Sequence, residues 1–174
     1  MNASRRGLLI VYTGSGKGKT TAALGLALRA AGHALRVAVL QFVKARRSGE
    51  HEALARLGDL VSIRTVGTGF VVGRPSPEAQ AAASEGLALA RQLLADGRTD
   101  MLVLDELLSA LGAGLIAEAD VMALIDARPS HVHLVLTGRD APAAILQRAD
   151  LVTEMRCLKH PFDDGLAAQP GIEF

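Results

Sequence analysis

Leu8-Leu9-Ile10-Val11-Tyr12-Thr13-Gly14-Ser15-Gly16-Lys17-Gly18-Lys19-Thr20-Thr21 sets a short apolar run directly against a glycine- and lysine-rich turn, which opens an alanine- and leucine-rich segment. An uninterrupted apolar run suits a strand buried on both faces. Glycines then let the backbone curl until successive N–H groups point inward, and the following helix adds its positive end. Lys19 supplies a mobile cation and Thr20 a hydroxyl for a magnesium ion. Strand, loop and helix in that order make Gly14, Ser15, Gly16, Lys17, Gly18, Lys19, Thr20 and Thr21 the expected phosphate-binding residues. The spacing is unusual: three residues separate Gly14 from Gly18 where the common phosphate loop has four, and Thr13 stands at the position of its first glycine.

The same alternation continues down the chain. Val37–Leu40, Met101–Leu104 and Val132–Leu136 are further near-continuous apolar runs, Val61–Val66 alternates like an edge strand, and Leu151–Met155 is a candidate for one more. Between them, Thr20–Ala31 reads as a helix closed by Gly32, and Glu50–Leu57 as a shorter one closed by Gly58. Ser76-Pro77-Glu78 opens a long helix that Gly97 stops, and Asp120 opens another that ends before Arg128-Pro129. Strands alternating with helices predict an α/β fold of the three-layer P-loop NTPase-like kind, with a mostly parallel central sheet and helices on both faces. The expectation is one nucleotide-binding domain over residues 1–174, with an extended tail from about Lys159 to Phe174 carrying Pro161, Gly165, Pro170 and Gly171.

Composition narrows the class. Of 174 residues 49% are hydrophobic and 21% charged, which excludes a wholly disordered chain. A net charge of +1 and an aromatic content of 3%, with no Trp, argue against a nucleic-acid partner, since neither a strong positive field nor a stacking platform is available. Cys157 is the only cysteine, so an intramolecular disulfide and a multi-cysteine zinc site are excluded, and a cytoplasmic location is expected. The apolar run after Arg5-Arg6 meets the phosphate loop rather than a cleavage site, so no signal peptide is read, and no run is long enough to predict a membrane span.

Two further loops carry chemistry. Asp105-Glu106 follows the Met101–Leu104 strand, where a carboxylate can hold magnesium or its water shell; either residue fits, and a helix cap is the plain alternative. Thr137-Gly138-Arg139 follows the Val132–Leu136 strand and makes Arg139 a candidate anion ligand at the same end of the sheet. Lys44, Arg46 and Arg47 form a basic loop that would meet an acidic substrate or simply be solvated. His131 and His133 read as strand-end packing residues rather than a metal site, and Cys157 as a small, partly buried apolar residue.

Taken together, these segments resemble the ATP:corrinoid adenosyltransferases of cobalamin synthesis and salvage. The resemblance runs through Gly14–Ala23, Arg29–His33, Val39–Lys44, Gly67–Phe70, Leu104–Leu107, Leu136–Arg139, Ala149–Met155, Lys159–Phe162 and Gln169–Phe174. It implies that a corrinoid reduced to Co(I) attacks the 5′ carbon of ATP and expels triphosphate. By the same resemblance, Gly14–Thr21 together with Arg29 and Arg139 bind the nucleotide. Thr20, Glu106 and Asp105 handle Mg2+, with Mn2+ as an alternative ion. Lys19, Arg139 and Phe70 act in catalysis, with Phe70 the nearest aromatic candidate for displacing the lower axial ligand of cobalt and a core residue anchoring its loop the alternative reading. An electron donor such as a flavoprotein and a homodimeric state are implied as well.

The sequence departs from the family pattern at Val72, where a tryptophan is common, and at Leu108, where a polar residue is frequent. Few residues precede the first strand, so part of the substrate cover is expected either to be missing or to be supplied by a partner subunit. Two other readings of the phosphate loop are a phosphotransferase or ATPase acting at the γ-phosphate, and a non-catalytic ATP-sensing module.

Overall fold

A computed structural model of the chain describes residues 6–44, 47–69 and 73–174. Six strands form one sheet: β1 Leu9–Thr13, β2 Val37–Gln41, β3 Val61–Thr65, β4 Met101–Asp105, β5 His133–Thr137 and β6 Leu151–Glu154. Their order is β3-β2-β4-β5-β1-β6, and every pairing is parallel. The sheet is thus wholly parallel, where the sequence predicts a mostly parallel one. Six helices connect the strands: α1 Lys19–Ala31, α2 Gly49–Ala55, α3 Pro77–Ala95, α4 Leu107–Gly112, α5 Glu118–Asp126 and α6 Ala143–Arg148.

Alternate strand residues divide between two cores. Leu9, Val11, Leu40, Leu102, Leu104, Leu134 and Leu136 pack with α3, α4 and α5 on one face. Ile10, Val37, Val39, Val103 and Val135 face α1 and α2 on the other, where Ala23, Ala27, Ala30 and Ala31 let α1 lie close to the sheet. A strand with a helix layer on each side has no solvent face, so both parities are apolar.

The predicted strands are found with boundaries shifted by a residue or so, and α3 has the expected Ser76 cap, whose hydroxyl oxygen accepts from Ala79 N at 3.2 Å. Three expectations need correction. The helix expected from Asp120 begins at Glu118, because Ala117 is already extended and acts as its cap. The six-residue helices α4 and α6 were not predicted. Cys157 is exposed rather than partly buried, because it lies beyond β6, an edge strand whose residues are all exposed. The tail is as exposed as an extended segment would be, but it forms a short 3-10 turn at Pro161–Asp164. His133 Nδ1 accepts a hydrogen bond from Leu8 N at 3.1 Å, which gives that imidazole a strand-end role.

Candidate functional site

Parallel strands carry their following loops to one edge of the sheet, and the loops after β1, β4 and β5 meet there. The glycines of the first loop are required by its back wall. A Cβ on Gly14 would stand 2.4 Å from Met155 O, one on Gly16 would stand 2.7 Å from Arg156 C, and Gly16 N donates to Met155 O at 2.7 Å. The loop therefore lies flat on the chain leaving β6. In front of it opens a cleft of about 840 Å³. Gly16–Thr21 form its floor, Glu106, Ser109 and Arg139 one wall, Lys44 and Glu50 another, and Gly171–Phe174 of the tail its outer rim.

Lys19 is only 6% exposed, and its Nζ donates to Gly14 O and Gly16 O, each at 2.8 Å. Burial pushes its pKa below the ordinary 10.5; the Glu106 carboxylate opposes that shift, and the Arg139 guanidinium adds to it. An anion entering the loop would relieve both pressures, which is what a phosphate-binding lysine needs. Lys17, at the rim, pairs with Glu173 of the tail at 3.3 Å.

Asp105 and Glu106, equivalent in sequence, have different surroundings. Asp105 is fully buried: its Oδ1 accepts from the hydroxyls of Thr20 at 2.9 Å and Thr137 at 2.7 Å, and its Oδ2 accepts from Gln41 Nε2 at 3.0 Å. Glu106 lines the cleft and accepts a hydrogen bond from the Ser109 hydroxyl. Its backbone is left-handed, with φ 59, a conformation that costs a non-glycine residue about 1–2 kcal/mol and is held here by Glu106 N donating to Thr137 Oγ1 at 2.8 Å.

The donor set suits a hard divalent cation. With its proton committed to Asp105, the Thr20 oxygen keeps lone pairs for a metal, and the Glu106 carboxylate supplies an anionic oxygen. No cluster of three or more His, Cys, Asp or Glu is found among the described residues.

On the opposite wall Glu50 pairs with Lys44 and accepts from Gln41 Nε2 at 3.3 Å. Burial alone would raise its pKa, but hydrogen bonds from Lys44, Ser48 and the backbone outweigh it and hold the carboxyl at about 2, against an ordinary 4.5. Since the folded pKa is depressed, this contribution to stability is complete above about pH 4.5 and is lost as pH falls toward 2. Glu50→Gln should therefore flatten the fall of the urea midpoint between pH 5 and pH 2. An unchanged slope would place the acid sensitivity elsewhere.

Comparison with known proteins decides what the cleft belongs to. The family model described as ATP:corrinoid adenosyltransferase BtuR/CobO/CobP matches residues 5–174. The chain belongs to the ATP:corrinoid adenosyltransferase family. A corrinoid adenosyltransferase of Pseudomonas aeruginosa is 42% identical over 171 residues, covering 97% of this chain and 84% of the relative. One from Salmonella typhimurium is also 42% identical, covering 97% of this chain and 86% of the relative. Among solved structures, a KaiC-like protein of Pyrococcus horikoshii superposes with a TM-score of 0.59 at 18% identity, covering 89% of this chain and 75% of the other, a likeness of fold.

The adenosyltransferase cleft gathers most of the residues expected from sequence, but not all. Gly16–Thr21, Glu106 and Arg139 line it; Asp105 lies beneath it. Arg29 sits exposed in the last turn of α1, and its side chain is not among the lining groups. Phe70 and Val72 lie outside the described residues, as does Arg46. Arg47 pairs with Glu52 at 3.1 Å, and of the described residues of that basic loop Lys44 lines the cleft. Leu108 is fully buried in the core beneath Gly138. The sequence reading gave no role to Gln41, Glu50, Ser109 or Thr137. For Gln41 a signal existed: an amide ending the apolar run Val37-Ala38-Val39-Leu40 is a buried polar group that needs partners.

Proposed function

We propose that the cleft transfers the 5′-deoxyadenosyl group of ATP to the Co(I) centre of a corrinoid and releases triphosphate. The observation that carries the reading is a shortened phosphate loop whose residues Gly16–Thr21, Lys19 among them, line the cleft of a chain of this family. The electron pair of the substrate cobalt forms the bond to C5′, while the C5′–O bond breaks and its pair leaves with the triphosphate. The protein's task is to hold ATP in line and to stabilise the charge that builds on the leaving group. Lys19 and Arg139 are the cations for this task, and Gly14–Thr21 fix the phosphates. Thr20 and Glu106 would hold Mg2+, whose contribution when bound is to neutralise triphosphate charge.

Phe70 is proposed as the apolar group that displaces the lower axial ligand of cobalt, and Arg29 as a nucleotide-binding cation. We also propose a cytoplasmic homodimer served by an electron donor such as a flavoprotein. The exposed apolar Leu158, Phe162 and Phe174 of the tail support a covering partner. None of the described helices is long and apolar enough to cross a membrane.

Consumption of ATP is expected only when reduced corrinoid is present, with one adenosylated corrinoid formed per ATP. Steady ATP turnover without corrinoid would favour the ATPase reading instead. Glu106→Gln should weaken magnesium-dependent turnover about tenfold while leaving corrinoid binding in place, since it removes one anionic oxygen from the metal and nothing from the corrinoid. A wild-type magnesium titration curve for Glu106→Gln would remove Glu106 from that role.

A further inference from the structure

Gln41 ends β2 at the position paired in register with Asp105 of β4 and Thr65 of β3. It is completely buried. Its Nε2 sends one hydrogen bond to Asp105 Oδ2 at 3.0 Å and another to Glu50 Oε1 at 3.3 Å, while its Oε1 is buried without a partner among the described residues. The amide cannot turn over, because that would set Oε1 against two carboxylates. A buried acceptor left unpaired is costly, and such groups are rare in folded proteins. An apolar residue would fill the end of this strand without that cost.

Glu50 keeps the arrangement rigid. It is held ionised by Lys44, so it offers Gln41 a permanent acceptor, and the second amide hydrogen is left for Asp105. Asp105 in turn draws the hydroxyl proton of Thr20. One side chain thus connects the Lys44 wall of the cleft to the hydroxyl on its floor.

Building on the reading of the cleft as a magnesium–ATP site, we propose that Gln41 is a positioning residue for metal-assisted nucleotide binding. By occupying Asp105 Oδ2 it keeps Oδ1 turned to Thr20, so that the threonine oxygen presents its lone pairs to the cation. Gln41 itself touches neither metal nor nucleotide: Thr20, Lys44 and Glu50 line the cleft and Gln41 does not.

The test is the gain in ATP affinity that Mg2+ gives, measured by calorimetry on the full chain as the ratio of Kd in EDTA to Kd in excess Mg2+. Gln41→Met, similar in size and without a donor, should reduce that ratio about tenfold or more, as expected for losing a hydrogen bond to a charged group, while the Kd in EDTA stays within about twofold. Gln41→Glu keeps the shape but puts a third carboxylate beside Asp105 and Glu50, and should reduce the ratio further; it serves where Gln41→Met is poorly folded. In an Asp105→Ala background, which removes the acceptor, Gln41→Met should have little further effect on the ratio, because the contact is already broken. An unchanged ratio in both Gln41 variants overturns the proposal. So does an equal loss of affinity with and without Mg2+, which is the mark of a packing role, or the absence of any Mg2+ gain in the unaltered protein. The assay contains no corrinoid, so failure of the adenosyl-transfer reading would appear separately, as ATP bound but never transferred to Co(I).

Discussion

Lys19→Ala is expected to lower kcat/KM for adenosyl transfer by roughly two orders of magnitude, about 3 kcal/mol, the size of effect seen when one preorganised donor to developing charge is removed. The side chain is almost wholly buried and bonds to loop carbonyls, Gly14 O and Gly16 O, so its ammonium is held at the floor of the cleft before the nucleotide arrives. Preorganisation of this kind counts most for a leaving group as highly charged as triphosphate, which gains a negative charge as the C5′–O bond breaks. The fold should survive, because no core residue depends on the ammonium. Steady-state kinetics alongside circular dichroism check both halves. Near-normal transfer by a folded Lys19→Ala protein would remove the phosphate loop from the reaction.

Asp105→Asn should do more damage to stability than any other single change in the site. The buried carboxylate accepts three hydrogen bonds, from Thr20, Thr137 and Gln41. An amide in its place either turns its NH2 against Gln41 Nε2 or forces the hydroxyls of Thr20 and Thr137 to turn their protons away from it, and either way a buried polar group loses its partner, at about 2–3 kcal/mol, which corresponds to a Tm lowered by roughly 5–10 °C in a chain of this size. Turnover should fall about tenfold or more as well, since Thr20 loses the group that orients its hydroxyl. Glu106→Gln, in the open cleft, should leave Tm nearly unchanged while weakening magnesium dependence. Thermal melts of the two variants, each with a magnesium titration, separate the roles; a stable Asp105→Asn beside a destabilised Glu106→Gln would reverse the assignment.

Much of this frame could be read from the residues. A strand sandwiched between helices must be apolar on both sides, and Leu102-Val103-Leu104 or Leu134-Val135-Leu136 announce that directly. The strand, the glycine- and lysine-rich turn and the helix that follows are equally plain, because they succeed one another within the single stretch Leu8–Ala31. What escaped was whatever depends on contacts remote in sequence. Gln41 shows only as a polar residue ending an apolar run; its partners Glu50 and Asp105 lie 9 and 64 positions away and reach it through α2 and the β2–β4 pairing.

The division between Asp105 and Glu106 was hidden for a similar reason. Two adjacent carboxylates are equivalent until the chain turns left-handed at Glu106, burying one and presenting the other. That turn also starts α4, which at six residues is too short to show a helical period and went unpredicted. For Cys157 residue type favours burial, whereas its position past an exposed edge strand decides.

This phosphate loop is proposed to hold a leaving triphosphate while carbon, rather than phosphorus, is attacked. ATP carrying 13C at the 5′ position, incubated with the protein, Mg2+ and corrinoid already reduced to Co(I), tests it by carbon and phosphorus NMR of a single reaction. The 13C signal should move to that of a cobalt-bound methylene in step with the appearance of intact triphosphate. A 13C label that stays on an adenine nucleotide while ADP and phosphate accumulate would contradict the proposal.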